Sequence, residues 1–173
     1  MMMMDRTTNS LLLKANRALS SRLSDLTFVD HERLDEANEL FVSRLRQGDL
    51  RQASLLRVLL FDLQCLQEPR LIDHQIQSEA IGALSIAQYS VAESLTASVS
   101  LEECIATWTA PIDVMGDVYC LASAYYLSDF VRQYWQERLG NNLVWYVCPL
   151  ADLDAFFEGV HQRALVAAEE EAS

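Results

Sequence analysis

The chain has 173 residues, 51% of them hydrophobic, and carries 25 acidic against 13 basic side chains for a formal net charge of −12. That length and apolar content suit one packed domain and exclude global disorder. A field of that sign repels phosphate backbones and anionic lipid heads, which argues against a nucleic-acid or membrane-surface protein, although Arg44, Arg46 and Arg51 lie close together.

Residues 1–10 read as disordered. The opening MMMM is followed by no apolar stretch, and 11-LLL-13 is too short for a signal core or a membrane span, so a cytoplasmic location is expected. From Ser10 a weak helix is predicted, with Leu12, Leu13, Asn16, Leu19 and Leu23 on one side. In 30-DHERLDEANELFVSRLRQG-48, Asp30 is the N-cap, Leu34, Ala37, Leu40, Phe41 and Leu45 recur at helical spacing, and Gly48 marks the stop. The next predicted helix, 51-RQASLLRVLLFDLQCLQE-68, has almost no polar side, which implies a central position or a partner chain over part of it. Pro69 opens a further helix whose buried stripe is Leu71, Ile72, Ile76, Ala80 and Ile81.

After Gly82 the pattern changes. Strands are predicted at 84-LSIAQY-89, at 105-IATWTAPID-113 and within 117-DVYCLASAYYLS-128. Ser128 then caps a helix bearing Phe130, Val131, Tyr134, Trp135 and Leu139 on one face, which Gly140-Asn141 ends. Strand 143-LVWYVC-148 has no polar alternation, so both its faces are covered. A last helix follows Pro149, with Leu150, Leu153, Phe156, Phe157, Val160 and Ala164 at core spacing. A strand, a helix of about eleven residues and a strand suffice for a parallel crossover. The predicted class is α+β. Residues 11–82 form a helical subdomain of three or four helices, 83–166 a small α/β subdomain with three or four strands and two helices, and 167–173 a frayed acidic tail.

Few side chains point to chemistry. Cys65, Cys104, Cys120 and Cys148 have no metal-knuckle or redox spacing and read as reduced thiols, mostly buried. His31, His74 and His161 are isolated from one another, and the five glycines are scattered rather than gathered into a phosphate loop. No metal and no cofactor are therefore expected. Glu102-Glu103 and the pair Asp113 and Asp117 lie in polar contexts and read as solvated acids. The aromatics Trp108, Tyr125, Tyr126, Trp135, Trp145 and Tyr146 read as packing rather than as a stacking platform.

A helical first half followed by a small α/β half resembles the N-terminal domain of the assembly ATPases of type II secretion and type IV pili. Three segments carry the resemblance. 28-FVDHERLDEANEL-40 is similar to that family's first helix, and 81-IGALSIAQYSV-91 is similar to the strand that opens its α/β half. 119-YCLASAYYLSDFVRQYWQERLGNNLVWYVCPLADLDAFF-157 follows its ending of strand, capped helix, Gly turn, strand and helix. In the family this domain precedes an ATPase with a phosphate loop, and these residues contain no such loop. The resemblance thus implies a free-standing, non-enzymatic interaction or regulatory domain, binding a component of the secretion or pilus platform or itself. For that interface the sequence points to Leu40, Phe41, Leu45, Leu56 and Leu60.

Some family members bind cyclic di-GMP through Arg-Leu-Gly-x-x-Leu followed, ten residues on, by Leu-x-x-x-Leu-x-x-Gln. Arg51, Leu56 and Leu71 match, whereas Gln52, Ala53, Gln67 and His74 replace motif residues and Gln75 falls one residue late. The upstream copy, 22-RLSDL-26, has serine for glycine, where backbone amides must approach the ligand closely. The alternative reading is therefore a cyclic-dinucleotide sensor with a degenerate site at Arg51, Leu56, Arg57, Arg70, Leu71 and Gln75, cyclic di-GMP itself being disfavoured. A third reading, an enzyme using Asp62 or Asp73 in a helical cleft, requires one of those acids to be buried.

Overall fold

α1 covers Arg6–Asp25, earlier than the sequence suggested. Thr8 is buried with Leu12, Ala15, Asn16, Leu19 and Leu23, so packing extends the helix back through residues expected to be disordered. The computed structural model describes residues 6–86, 95 and 98–172, and the remainder of the expected disordered segment lies outside them.

α2 is His31–Gln47. The Asp30 side chain accepts from the Arg33 amide at 2.9 Å and Gly48 closes the helix at φ +80°, where a side chain would be strained.

The long apolar helix expected over 51–68 does not form. Asp49 Oδ1 instead accepts from the amides of Arg51 and Gln52, folding 49–52 into a turn. Ser54 caps the short α3, Leu55–Arg57, which widens into a π-helical turn at Val58–Asp62 and stops at Gln64, φ +50°. This segment is apolar all round because the chain's own core surrounds it, and Leu55, Leu56, Val58 and Leu59 are at most 1% exposed. α4, Glu68–Ser78, carries Pro69 in its first turn as expected.

A four-stranded sheet follows in the order β1-β4-β3-β2. β1 is only Gly82–Ala83, parallel to β4, Leu143–Val147. Tyr146 lies over Gly82, where a Cβ would meet the ring at 3.2 Å. The strand expected at 84–89 is thus displaced toward the N-terminus, and its residues 87–89 lie outside the described set.

The strand expected from residue 105 starts later. Residues Leu101–Thr107 form α5, opened by a capping box between Ser100 and Glu103, and β2 is Thr109–Met115. β2 makes an antiparallel hairpin with β3, Val118–Ser123, with an irregularity between Pro111 and Asp113. β3 and β4 are parallel, joined through α6, Asp129–Leu139, which confirms the expected crossover. α7 runs over Leu150–Ala172, so the acidic end is helical rather than frayed. Its Ala, Leu and Glu residues are strong helix formers with no stop among them.

The class is α+β, and its two halves share one core. α1 packs against α5 and α6 of the α/β half as well as against α2. Ser128, which caps α6, donates to the Ala15 carbonyl at 2.9 Å. Asn16 accepts from the Leu55 amide at 2.9 Å and from the Tyr125 hydroxyl at 2.7 Å. One contiguous set of buried apolar residues runs from Leu12 to Phe157. Among the described residues no helix is long and apolar enough to cross a membrane.

Candidate functional site

The turn at 49–52 and the face of α7 that carries Asp154 and Glu158 meet across the boundary between the halves. Asp154 and Glu158 are four residues apart and so share one side of that helix. The Arg51 guanidinium spans them. Nε and Nη2 donate to Asp154 Oδ1 at 3.0 and 2.7 Å, Nη2 reaches the Asp154 carbonyl at 3.3 Å, and Nη1 donates to Glu158. Arg57 pairs with Asp154 Oδ1 at 3.2 Å, and its Nε donates to the Arg51 carbonyl at 3.2 Å.

Arg57 also lies over two aromatic rings, 5.6 Å from the centroid of buried Trp108 and 5.9 Å from half-exposed Phe61. Trp108 caps α5 in the left-handed region, at φ +46°. That conformation costs an L residue about 1–2 kcal/mol. The wholly buried indole, packed on Phe157, opposes that cost, and its Nε1 is buried without a hydrogen-bond partner among the described residues.

Partial burial disfavours the Arg51 cation, but the hydrogen bonds and charges of Asp154 and Glu158 outweigh it, and its pKa sits above the ordinary arginine value. Hydrogen bonds from Gln162 and Arg51 hold Glu158 below the usual carboxylate range. The cluster is internally neutralised. Beside it opens a cleft of about 390 Å³ with an apolar floor of Leu50, Leu101, Ile105 and Phe157 and a polar rim of Asp49, Arg51, Glu158, His161 and Gln162.

The six residues expected to bind a ligand are dispersed. Arg51 and Arg57 come together, as described. Leu56, Leu71 and Gln75 are 1%, 2% and 1% exposed, and Gln75 Nε2 donates to the Leu71 carbonyl at 3.2 Å, so these three build the core. Arg70 is exposed over the Phe28 ring, 5.3 Å from its centroid, in a separate recess of about 240 Å³ with Gln64 and Gln67.

The expected interface also divides. Phe41, Leu56 and Leu60 are at most 9% exposed, which corrects their assignment to a free surface, while Leu40 and Leu45 are half-buried against the core. Of the acids, Asp62 is exposed and accepts from Arg44 at 2.7 Å, and Asp73 is exposed.

Sequence reasoning misplaced Glu103 among the solvated acids. It is 8% exposed and accepts from the Ser100 amide at 3.2 Å, from Tyr134 at 2.5 Å and from Arg138 at 2.9 Å. Desolvation and this carboxylate together push the Tyr134 phenol well above its ordinary value. The signal was present as 100-SLEE-103, a serine with a glutamate three residues on. No sequence signal marked Asp154 and Glu158 as partners of Arg51, because the pairs lie 103 and 107 residues apart.

These features define an α+β domain whose interior polar groups fasten its two halves together, with a cleft where the halves meet. Among solved structures the chain is similar to one described as MshE with cdg, that is, cyclic di-GMP. The TM-score is 0.50 at 16% identity, over 81% of this chain and 96% of that one. At that identity the likeness is one of fold. No family model matches the chain, and no curated protein matches it.

Proposed function

We propose that the chain is a non-enzymatic interaction or regulatory domain, working in the cytoplasm as part of a secretion or pilus apparatus. The observation that carries this reading is the use made of the buried and half-buried polar groups. Glu103 is bound by Ser100, Tyr134 and Arg138, the Tyr125 hydroxyl by Asn16 and Ser54, and Arg51 by Asp154 and Glu158. A perturbed, cleft-facing group is what reaction chemistry draws on. Here the Tyr125 and Arg51 groups are occupied in joining one half of the fold to the other, and Glu103 in tying α5 to α6 within the α/β half. The fold likeness to MshE supports the same reading.

Affinity capture with the full chain, followed by reconstitution from purified components, tests it. A captured protein should re-form a defined complex when purified. Failure to obtain any complex, with turnover of a small substrate instead, would overturn the proposal.

One observation favours a second reading, in which the domain senses a cyclic dinucleotide: the fold neighbour was solved with cdg, and Arg51 stands at a matching motif position. Calorimetry with cyclic di-GMP separates the two. Heat that disappears in Arg51→Ala supports the sensor, and no heat at high micromolar ligand removes it. The bonds from Arg51 to Asp154 and Glu158 weigh against it, since an entering phosphate has to displace a carboxylate.

A further inference from the structure

Only the first half of α7 is seated on the domain. Leu150, Leu153 and Phe157 are fully buried, whereas every described residue from Gln162 onward is exposed. The apolar stripe does not stop there. Phe157, His161 and Leu165 follow one another at four-residue spacing, with Ala164 and Ala168 alongside, and Leu165 and Val166 are 47% and 51% exposed. The line that floors the 390 Å³ cleft at Phe157 therefore runs on along free helix for about 18 Å.

The charge beside this stripe has one dominant sign. Asp49 stands on the cleft rim, and Glu169 and Glu171 are exposed farther along the helix. Arg51 on the rim is neutralised by Asp154 and Glu158, which leaves Arg163 as the cation of the free half.

We infer that the cleft and the free half of α7 form one docking groove for a basic amphipathic helix of another protein. An apolar side chain of that helix enters over Phe157, its apolar face follows Ala164, Leu165 and Ala168, and its lysines or arginines face Asp49, Glu169 and Glu171. A second copy fits less well. It presents the same acids on the same helix, and both bodies carry a net charge of −12. The inference rests on the reading of the chain as an interaction domain and names the partner's chemistry.

The probe is a designed, labelled helix of about 18 residues, five turns, with leucines along one face and lysines flanking them, titrated with the full chain by fluorescence anisotropy. A glutamate-flanked version is the charge control. The lysine helix should bind and the glutamate helix should not. Leu165→Glu should weaken binding about tenfold or more, even though it adds a charge that attracts lysine. Met115→Glu, at a 65% exposed position on the tip of the β2–β3 hairpin, should not weaken it.

Unchanged affinity in Leu165→Glu, or equal loss in Met115→Glu, overturns the groove. A dimer in sedimentation that Leu165→Glu dissolves gives the surface to a second copy and overturns the stated partner. If a partner captured by the wild-type chain is still bound by Leu165→Glu, the interaction reading stands and only its placement on α7 falls.

Discussion

Tyr125 is the residue on which the two halves depend most directly. Its hydroxyl donates to Asn16 Oδ1 at 2.7 Å, lies 2.7 Å from Ser54 Oγ and accepts from the Leu56 amide at 3.4 Å, in a site with no solvent exposure. Burial pushes the phenol well above its ordinary value, so it stays protonated and can donate. Tyr125→Phe keeps the ring but takes one partner each from Asn16 Oδ1 and Ser54 Oγ, which keep the Leu55 and Arg57 amides, and leaves the Leu56 amide without its acceptor. The expected cost is about 1–3 kcal/mol, read as a lower urea midpoint with an unchanged slope. An unmoved midpoint would mean that the network does not join the halves. At this scale the sequence was partly legible. The caps Asp30 and Ser128 and the stop at Gly48 could be read directly, because a cap is a local hydrogen bond or a local backbone angle. Asn16 could be placed only on the buried side of its helix, since its partners Leu55 and Tyr125 lie 39 and 109 residues away.

Elements are joined through side chains at their ends. Glu68, in the first turn of α4, accepts from the Leu150 amide at 2.9 Å and thereby caps α7. Desolvation raises its pKa, the Leu150 hydrogen bond opposes this, and Asp152 adds repulsion. A raised folded-state pKa means that the native state binds the proton more tightly than the unfolded chain does. The contribution of Glu68 to stability is then greatest below the ordinary value of 4.5 and is lost as pH rises through the folded-state value. Glu68→Gln retains a carbonyl acceptor for Leu150 and removes the charge. It should be more stable than the wild type at neutral pH and equal to it in acid, which chemical denaturation across that range checks. A variant less stable at neutral pH would show that the carboxylate's charge contributes more to capping α7 than its desolvation costs. The misreading of 51–68 belongs to this scale as well. Periodicity cannot distinguish a long helix from a short buried turn when every face of the segment is covered, and only the Asp49 and Ser54 hydrogen bonds decide between them.

For the whole molecule, a single core predicts a single unfolding event. Trp108, Trp135 and Trp145 all lie in the α/β half, whereas α1, α2 and α4 contribute much of the helix signal. Tryptophan fluorescence and far-ultraviolet circular dichroism should therefore trace coincident thermal transitions. Separate midpoints would divide the chain near Gly82, where its sequence character changes, and would contradict the contiguous core. The resemblance noted from ordered segments corresponds to a likeness in fold to MshE, while the expected ligand residues proved to be spread between the core, the Arg51 cluster and the Arg70 recess.

The sequence by itself determined the class, the parallel strand–helix–strand unit, both ends of α2 and α6 and the starts of α4 and α7, because helical spacing, strand runs and caps act over a few residues. Only the tertiary structure decided that α1 joins the halves, that Arg51 is held by Asp154 and Glu158, and that α7 leaves half its length uncovered. Each of those depends on groups distant in the chain meeting in space, and their pairing follows from how the whole core packs.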